Sequence, residues 1–194
     1  GAMYRALALL AVERGIPLDD SVALGEMARG ASIQAREDNG VFRVWLDGAE
    51  FTNRLREPGT DKIVKVLAMA RPVREVLVAV QQEMSQGGGV VMEGRDITSV
   101  VMPDAEIKVF LTASIEERTN RRCKEMKERG QNVQWDEVKE DIIQRDRKDQ
   151  ERDWGRLIQT KDSVFIDSSH MTKDEVCAAI VALCEARSRC CTGS

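Results

Sequence analysis

Short apolar runs separated by amphipathic helical stretches predict an α/β protein, with a parallel sheet flanked by helices. Three observations carry that prediction. Val90-Val91-Met92, Lys108-Val109-Phe110-Leu111 and Val164-Phe165-Ile166 are brief apolar runs without polar alternation, the pattern of strands buried on both faces. Long stretches of helical period lie between them. Asn39-Gly40 and Asp47-Gly48 are hairpin-turn signals bracketing Val41–Leu46, so residues 31–54 predict a three-stranded antiparallel meander inserted among helices.

Each element follows from local chemistry. Met3, Ala6, Leu7 and Leu10 recur at helical spacing and predict an opening helix with one buried stripe, ended at Gly15-Ile16-Pro17. Asp20 is a candidate cap for a short helix over 21–29. After the meander, Pro58-Gly59 closes the insert and Thr60 is a candidate cap for the next helix. Pro72 begins another, whose apolar face is Val73, Val76, Leu77, Val80 and Met84. Gly87-Gly88-Gly89 stops that helix; it follows a helix, precedes a strand and lacks a nearby Lys, so it is no phosphate loop. Strands are expected at 90–93, 108–112 and 163–167. Ser114 with Glu117, and Thr172 with Glu175, have capping-box spacing. Trp135, Val138 and Ile142 mark the helix after Gly130. Val176, Ile180, Leu183 and Cys184 line the last one, which places Cys177 and Cys184 on one face as small core residues.

Composition narrows the function classes. The 194 residues carry a net charge of −4, which offers no global basic field for nucleic acid. No run approaches the roughly 20 apolar residues of a membrane span. The five cysteines, Cys123, Cys177, Cys184, Cys190 and Cys191, lack CxxC spacing, and the chain has one His, so a zinc site is not expected and a reduced cytoplasmic location is. The tail from Cys190 to Ser194 is expected to be frayed, with exposed thiols.

Two segments offer phosphate chemistry. Glu93-Gly94-Arg95-Asp96 follows an expected strand, at the edge where open α/β sheets bind ligands. Gly94 permits close backbone approach, Arg95 presents a donor fork matched to phosphate, and Asp96 can accept from an exocyclic amine. The same triplet also fits a plain turn with a surface ion pair. Arg145, Asp149 and Arg152 are spaced i, i+4, i+7 on one helix face, where a carboxylate between two guanidiniums suits a sugar phosphate. A solvated helix with intrahelical pairs fits that run equally. Tyr4-Arg5 and Pro72-Val73-Arg74 add further candidates that singly read as surface or packing residues. Trp45 and Trp135 read as core, Trp154 as the point where a mobile segment rejoins the domain, and His170 as a loop residue.

In chain order these segments resemble the cytidylate (CMP/dCMP) kinase family, over residues 1 to about 186. Gly1–Arg5, Glu93–Ile97, Val101–Ala105, Lys108–Arg118 and Arg145–Arg152 carry the likeness, and the middle stretch is its most specific part. The resemblance implies a P-loop nucleoside monophosphate kinase fold: a five-stranded parallel sheet with flanking helices, an antiparallel acceptor-binding insert and a helical lid. It implies partial core at 1–30, a CMP-binding insert at 31–71, core at 72–129, a lid at 130–153, core at 154–187 and a disordered tail at 188–194. It also implies transfer of the ATP γ-phosphoryl to CMP or dCMP with Mg²⁺, in the cytoplasm, by a monomer acting on small nucleotides without nucleic-acid or membrane partners. By position, Arg5 and Arg95 would hold the acceptor phosphate beside Tyr4, and Arg74 and Asp96 would read cytosine. Arg145 and Asp149 would hold the sugar hydroxyls, and Arg152 would reach the phosphates on lid closure. Arg95, Arg145 and Arg152 are thus the expected catalytic residues. Arg118 and Arg122 would lie toward ATP.

The chain departs from the family pattern in places. No strand, Gly-rich loop and Lys-Ser or Lys-Thr occur in order, so the triphosphate cradle and the Mg²⁺-ligating hydroxyl are absent from these residues. Ile63–Leu67 lacks the family's base-contacting Ser, and Lys148 stands where Arg is usual. Asp153-Trp154-Gly155-Arg156 replaces an apolar, Pro-bearing lid return. The expectation is a kinase chain missing its first strands and inactive alone, with dimerisation through the gap open to it. A CMP-binding or interaction module without an ATP site, and a kinase for another monophosphate, remain the alternatives.

Overall fold

The computed structural model describes residues 1–191, with side chains to 189, and divides into two compact units, Gly1–Gly94 and Arg95–Ser194. The last helix runs to Cys191, through the first residues of the tail expected at 188–194; residues 192–194, and the side chains from 190, lie outside the description.

In the first unit, α1 (Ala2–Glu13) is the centre of the core. Met3 and residues 6–11 are all buried, more than the single stripe expected, because the helix is apolar nearly all round. It packs on α3 (Thr60–Leu67) and on the inner face of the sheet, while α2 (Ser21–Gly30) packs on α4 (Arg71–Ser85). Asp20 caps α2 as expected, accepting from the backbone N–H groups of Val22 and Ala23 at 3.0 and 2.9 Å. Gly25 faces Pro72 so closely that an added Cβ would lie 2.4 Å from the proline Cβ.

The meander forms in the expected place: β1 (Ile33–Asp38), β2 (Val41–Leu46) and β3 (Ala49–Glu50), antiparallel, with Ile33 opposite Leu46. Asn39, Gly40, Asp47 and Gly48 all adopt positive φ, as tight hairpins with the strand twist require. Val44 and Leu46 point inward. Trp45 points outward and is half-buried, with Arg36 stacked over its ring at 4.6 Å, so it is not core. Thr60 does not cap α3: the capping position is Gly59, at φ 88°, without a side-chain bond, and Thr60 is itself the first helical residue, buried at 1% exposure.

In the second unit, β4 (Val109–Thr112) and β5 (Val164–Asp167) pair in parallel, Val109 opposite Val164. The crossover between them is a helical hairpin of α5 (Ile115–Glu128) and α6 (Trp135–Glu151), and α7 (Lys173–Cys191) follows β5. Ser114 caps α5 by accepting from Glu117 N–H at 3.2 Å. The reciprocal half of the box is absent: Glu117 pairs with Arg121, and Ser114 N–H goes to Ser169 Oγ at 2.7 Å. At α7 both halves form, Glu175 N–H to Thr172 Oγ1 and Thr172 N–H to Glu175 Oε2.

Several expectations fail on packing. Residues 90–93 are not a strand: Val91 is 98% exposed, and no described strand pairs with this segment, so its apolar character has neither ladder nor core to join. The parallel sheet among the described residues therefore has two strands, not three. Cys177 and Cys184 are exposed, because α7 has little described structure over that face. Trp135 is 37% exposed; its indole N–H donates to Asn120 Oδ1 at 2.8 Å and Lys139 lies over its ring. No described helix is long and apolar enough to cross a membrane.

Candidate active site

α6 positions the densest cluster of charge. Its length places Arg145 and Asp149 one turn apart, and Arg152 at the C-cap turns the chain out of the helix. The segment beyond folds back, with Leu157 N–H donating to the Asp149 carbonyl at 2.7 Å. This fold-back covers Asp149, whose side chain is 2% exposed. Three guanidiniums converge on that carboxylate. Arg95 Nε lies 3.1 Å from Oδ2, Arg145 Nε lies 3.9 Å from the same oxygen, and Arg152 Nη2 bonds Oδ1.

The charge balance defines what this cluster can take. Three guanidiniums stand around one buried carboxylate, so the formal charge of these four side chains is positive, which suits an anionic ligand. Partial burial, and after it the like charge of Arg95, push the Arg145 guanidinium below its ordinary pKa, against the pull of Asp149 and Asp146. Asp149 Oδ2 has ion-pair contacts yet no aligned hydrogen bond, which leaves a buried acceptor facing the arginines.

Arg118 and Arg122 are anchored rather than loose. Arg118 Nε donates to the Ala113 carbonyl at 2.9 Å, at the carboxyl end of β4, and Nη1 pairs with Asp146 on α6. Arg122 Nη1 pairs with Glu125 at 2.8 Å. Asp96 is buried at 8% exposure; its carbonyl accepts from Val100 and Val101 N–H in a π-helical turn, Ile97–Val101.

The other candidates lie in the Gly1–Gly94 unit. Arg74 is 4% exposed, and its Nη1 donates to the Ala68 carbonyl at 3.3 Å. Arg5 pairs with Asp61 at 2.6 Å and donates to the Leu55 carbonyl. Tyr4 is half-buried against the α1 core. Sequence reasoning overlooked three partners: Asp61, Asp146, and Arg121, whose guanidinium donates to the Ser168 carbonyl at 2.6 Å and to Ser168 Oγ, tying α5 to the turn after β5. Only Asp146 left a signal, an acid three residues before Asp149 on the helix that faces Arg118.

No group of three or more His, Cys, Asp or Glu side chains suited to a metal occurs among the described residues. One cavity, of about 270 Å³, is lined by Lys108, Asp162, Leu183 and Arg187 at the amino end of β4 and β5, and none of Arg95, Arg145 and Arg152 lines it.

Comparison with known proteins gives a consistent result. The cytidylate kinase family profile matches residues 1–186. The chain is 46% identical to a cytidylate kinase of Pelotomaculum thermopropionicum over 183 residues, 94% of this chain and 81% of that protein. It is 41% identical to a cytidylate kinase of Enterococcus faecalis, over 93% of this chain and 80% of the relative. It is also 42% identical to a bifunctional pantoate ligase/cytidylate kinase of a Synechococcus strain, over 94% of this chain but 34% of that larger protein. A profile spanning nearly the whole chain, with relatives at this identity, assigns it: the chain belongs to the cytidylate kinase family of nucleoside monophosphate kinases.

Proposed function

We propose that these residues form the acceptor side of a cytidylate kinase acting on CMP or dCMP in cytoplasmic pyrimidine metabolism. An acceptor phosphate oxygen attacks the γ-phosphorus of ATP, the bond to the β,γ-bridging oxygen breaks, and CDP or dCDP and ADP result. The observation that carries the reading is the buried Asp149 carboxylate with three guanidiniums around it. Within the second unit Arg95 and Arg152 take the acceptor phosphate, while Asp149 Oδ2 and Arg145 take the sugar hydroxyls; the family resemblance assigns Arg5 to the acceptor phosphate as well. The family resemblance assigns the cytosine edge to Asp96 and to Arg74, counts Tyr4 among the acceptor residues, and gives Arg118 and Arg122 to the donor nucleotide. The work of such residues is positioning and charge neutralisation, for which no general base is needed. Mg²⁺ would ride on the ATP phosphates and neutralise charge there.

The 194 residues hold no Gly-rich loop with Lys and Ser or Thr. For this polypeptide by itself the proposal is CMP capture without turnover. Titration calorimetry of the chain with CMP, dCMP, UMP and AMP tests it. CMP or dCMP should bind best, and Arg95→Ala should weaken binding about tenfold or more, the worth of a charge-assisted hydrogen bond. Equal binding of all four nucleotides, or an unchanged Arg95→Ala, would refute the assignment. A coupled ADP assay with ATP and CMP separates capture from turnover.

A further inference from the structure

Arg5 is already engaged by a carboxylate. Its Nη1 lies 2.6 Å from Asp61 Oδ1 and donates to the Leu55 carbonyl at 3.4 Å. Asp61 is presented by fixed backbone. Gly59, at positive φ, starts α3 abruptly, and the neighbouring Thr60 is buried, so the first turn of the helix is pinned where it meets α1. The two carboxylate oxygens offer a guanidinium the same planar pair of acceptors as two phosphate oxygens.

We propose that Asp61 is a self-ligand of Arg5, holding the guanidinium while no acceptor is bound and displaced by the acceptor 5′-phosphate. This rests on the reading of Arg5 as an acceptor-phosphate residue. The two acids that pair with the arginines assigned to the acceptor phosphate differ in the property that decides which can move. Asp149 is 2% exposed and cannot leave its arginines without stranding a charge, whereas Asp61 is 49% exposed and can turn into water at little cost. A phosphate dianion outcompetes a carboxylate monoanion for Arg5, and a neutral nucleoside does not. When the phosphorylated product leaves, the carboxylate returns, so Asp61 keeps the grip on acceptor and product loose.

The test is calorimetry with CMP and with cytidine on the full chain and its Asp61→Asn, Asp61→Glu, Arg5→Ala and doubly substituted Arg5→Ala/Asp61→Asn forms. Losing a competing exposed ion pair should tighten CMP about two- to fivefold in Asp61→Asn and leave cytidine unchanged. Asp61→Glu should stay near the parent, and the gain should vanish in the Arg5→Ala background. Asp61→Ser, checked by circular dichroism, serves in place of Asn should that variant lose helix. Unchanged or weaker CMP binding in Asp61→Asn, or an equal gain without Arg5, overturns the inference while leaving the proposed function standing. An Arg5→Ala chain that binds CMP as the parent does overturns the role of Arg5 and the inference with it.

Discussion

Asp149→Asn removes the anion at the centre of the arginine cluster while keeping its volume, and its effect can be worked from the contacts. The pair with Arg152 is nearly out of water, both side chains being at most 11% exposed, so half-breaking it costs about 3–5 kcal/mol. The contacts with Arg95 and Arg145 are partly exposed and contribute at most about 1 kcal/mol each. The Asn carbonyl can still accept one guanidinium N–H and recovers about 1 kcal/mol. The expected net loss is about 4 kcal/mol, a fall in Tm of about 8–16 °C at this chain length. Thermal unfolding followed by far-ultraviolet circular dichroism measures it in chloride and again in sulfate. The dianion should occupy the exposed cationic cluster and shrink the difference. A variant melting within about 1 °C of the parent in chloride would show that the arginines do not depend on Asp149.

Other outcomes follow from the same contacts. Gly25→Ala drives a Cβ into Pro72 and must part α2 from α4, an overpacking cost of about 1–3 kcal/mol readable by urea denaturation. Asp20→Ala deletes two capping bonds and should cost about 1 kcal/mol in the same assay. Four acids in the second unit have lowered pKa values: Glu116 through its own backbone N–H and then Lys139, Asp162 through Lys108, Asp167 through the Ser169 hydroxyl, and Glu175 through the Thr172 backbone. Depressed carboxyls contribute stability that is complete above the ordinary range near pH 4 and is lost as pH falls through the folded values. Tm should therefore fall between pH 5 and pH 2.5, and Glu175→Gln should flatten part of that fall. A Tm that rises on acidification would contradict the assignment.

Local chemistry was readable wherever a residue acts on its own neighbours. Asn39-Gly40 and Asp47-Gly48 encode hairpins because their backbone needs are local, and Asp20, Ser114 and Thr172 act within their own first turns. The spacing of Arg145, Asp149 and Arg152 predicted a shared face. It could not show that Arg95, some fifty residues earlier, closes on the same carboxylate. What misled was apolar character read as burial. Val91, Cys177 and Trp135 have core chemistry, but burial depends on what lies opposite, and that is a tertiary fact. Thr60 misled in the opposite sense: a good capping side chain whose place was taken by Gly59, one residue earlier. Asp61 drew no notice because its importance depends entirely on a residue in another helix.

The parallel pairing of β4 with β5 sets a kinetic order on the second unit. About fifty residues separate the two strands, so their ladder cannot zip from a turn as a hairpin does. The intervening chain must first be shortened, and the α5–α6 hairpin, fastened by Arg118 to Asp146 and by Trp135 to Asn120, does that by bringing its own ends together. Amide protons of that hairpin should therefore gain protection from exchange before those of Val109–Thr112, and loosening Arg118 should slow strand assembly more than it speeds unfolding.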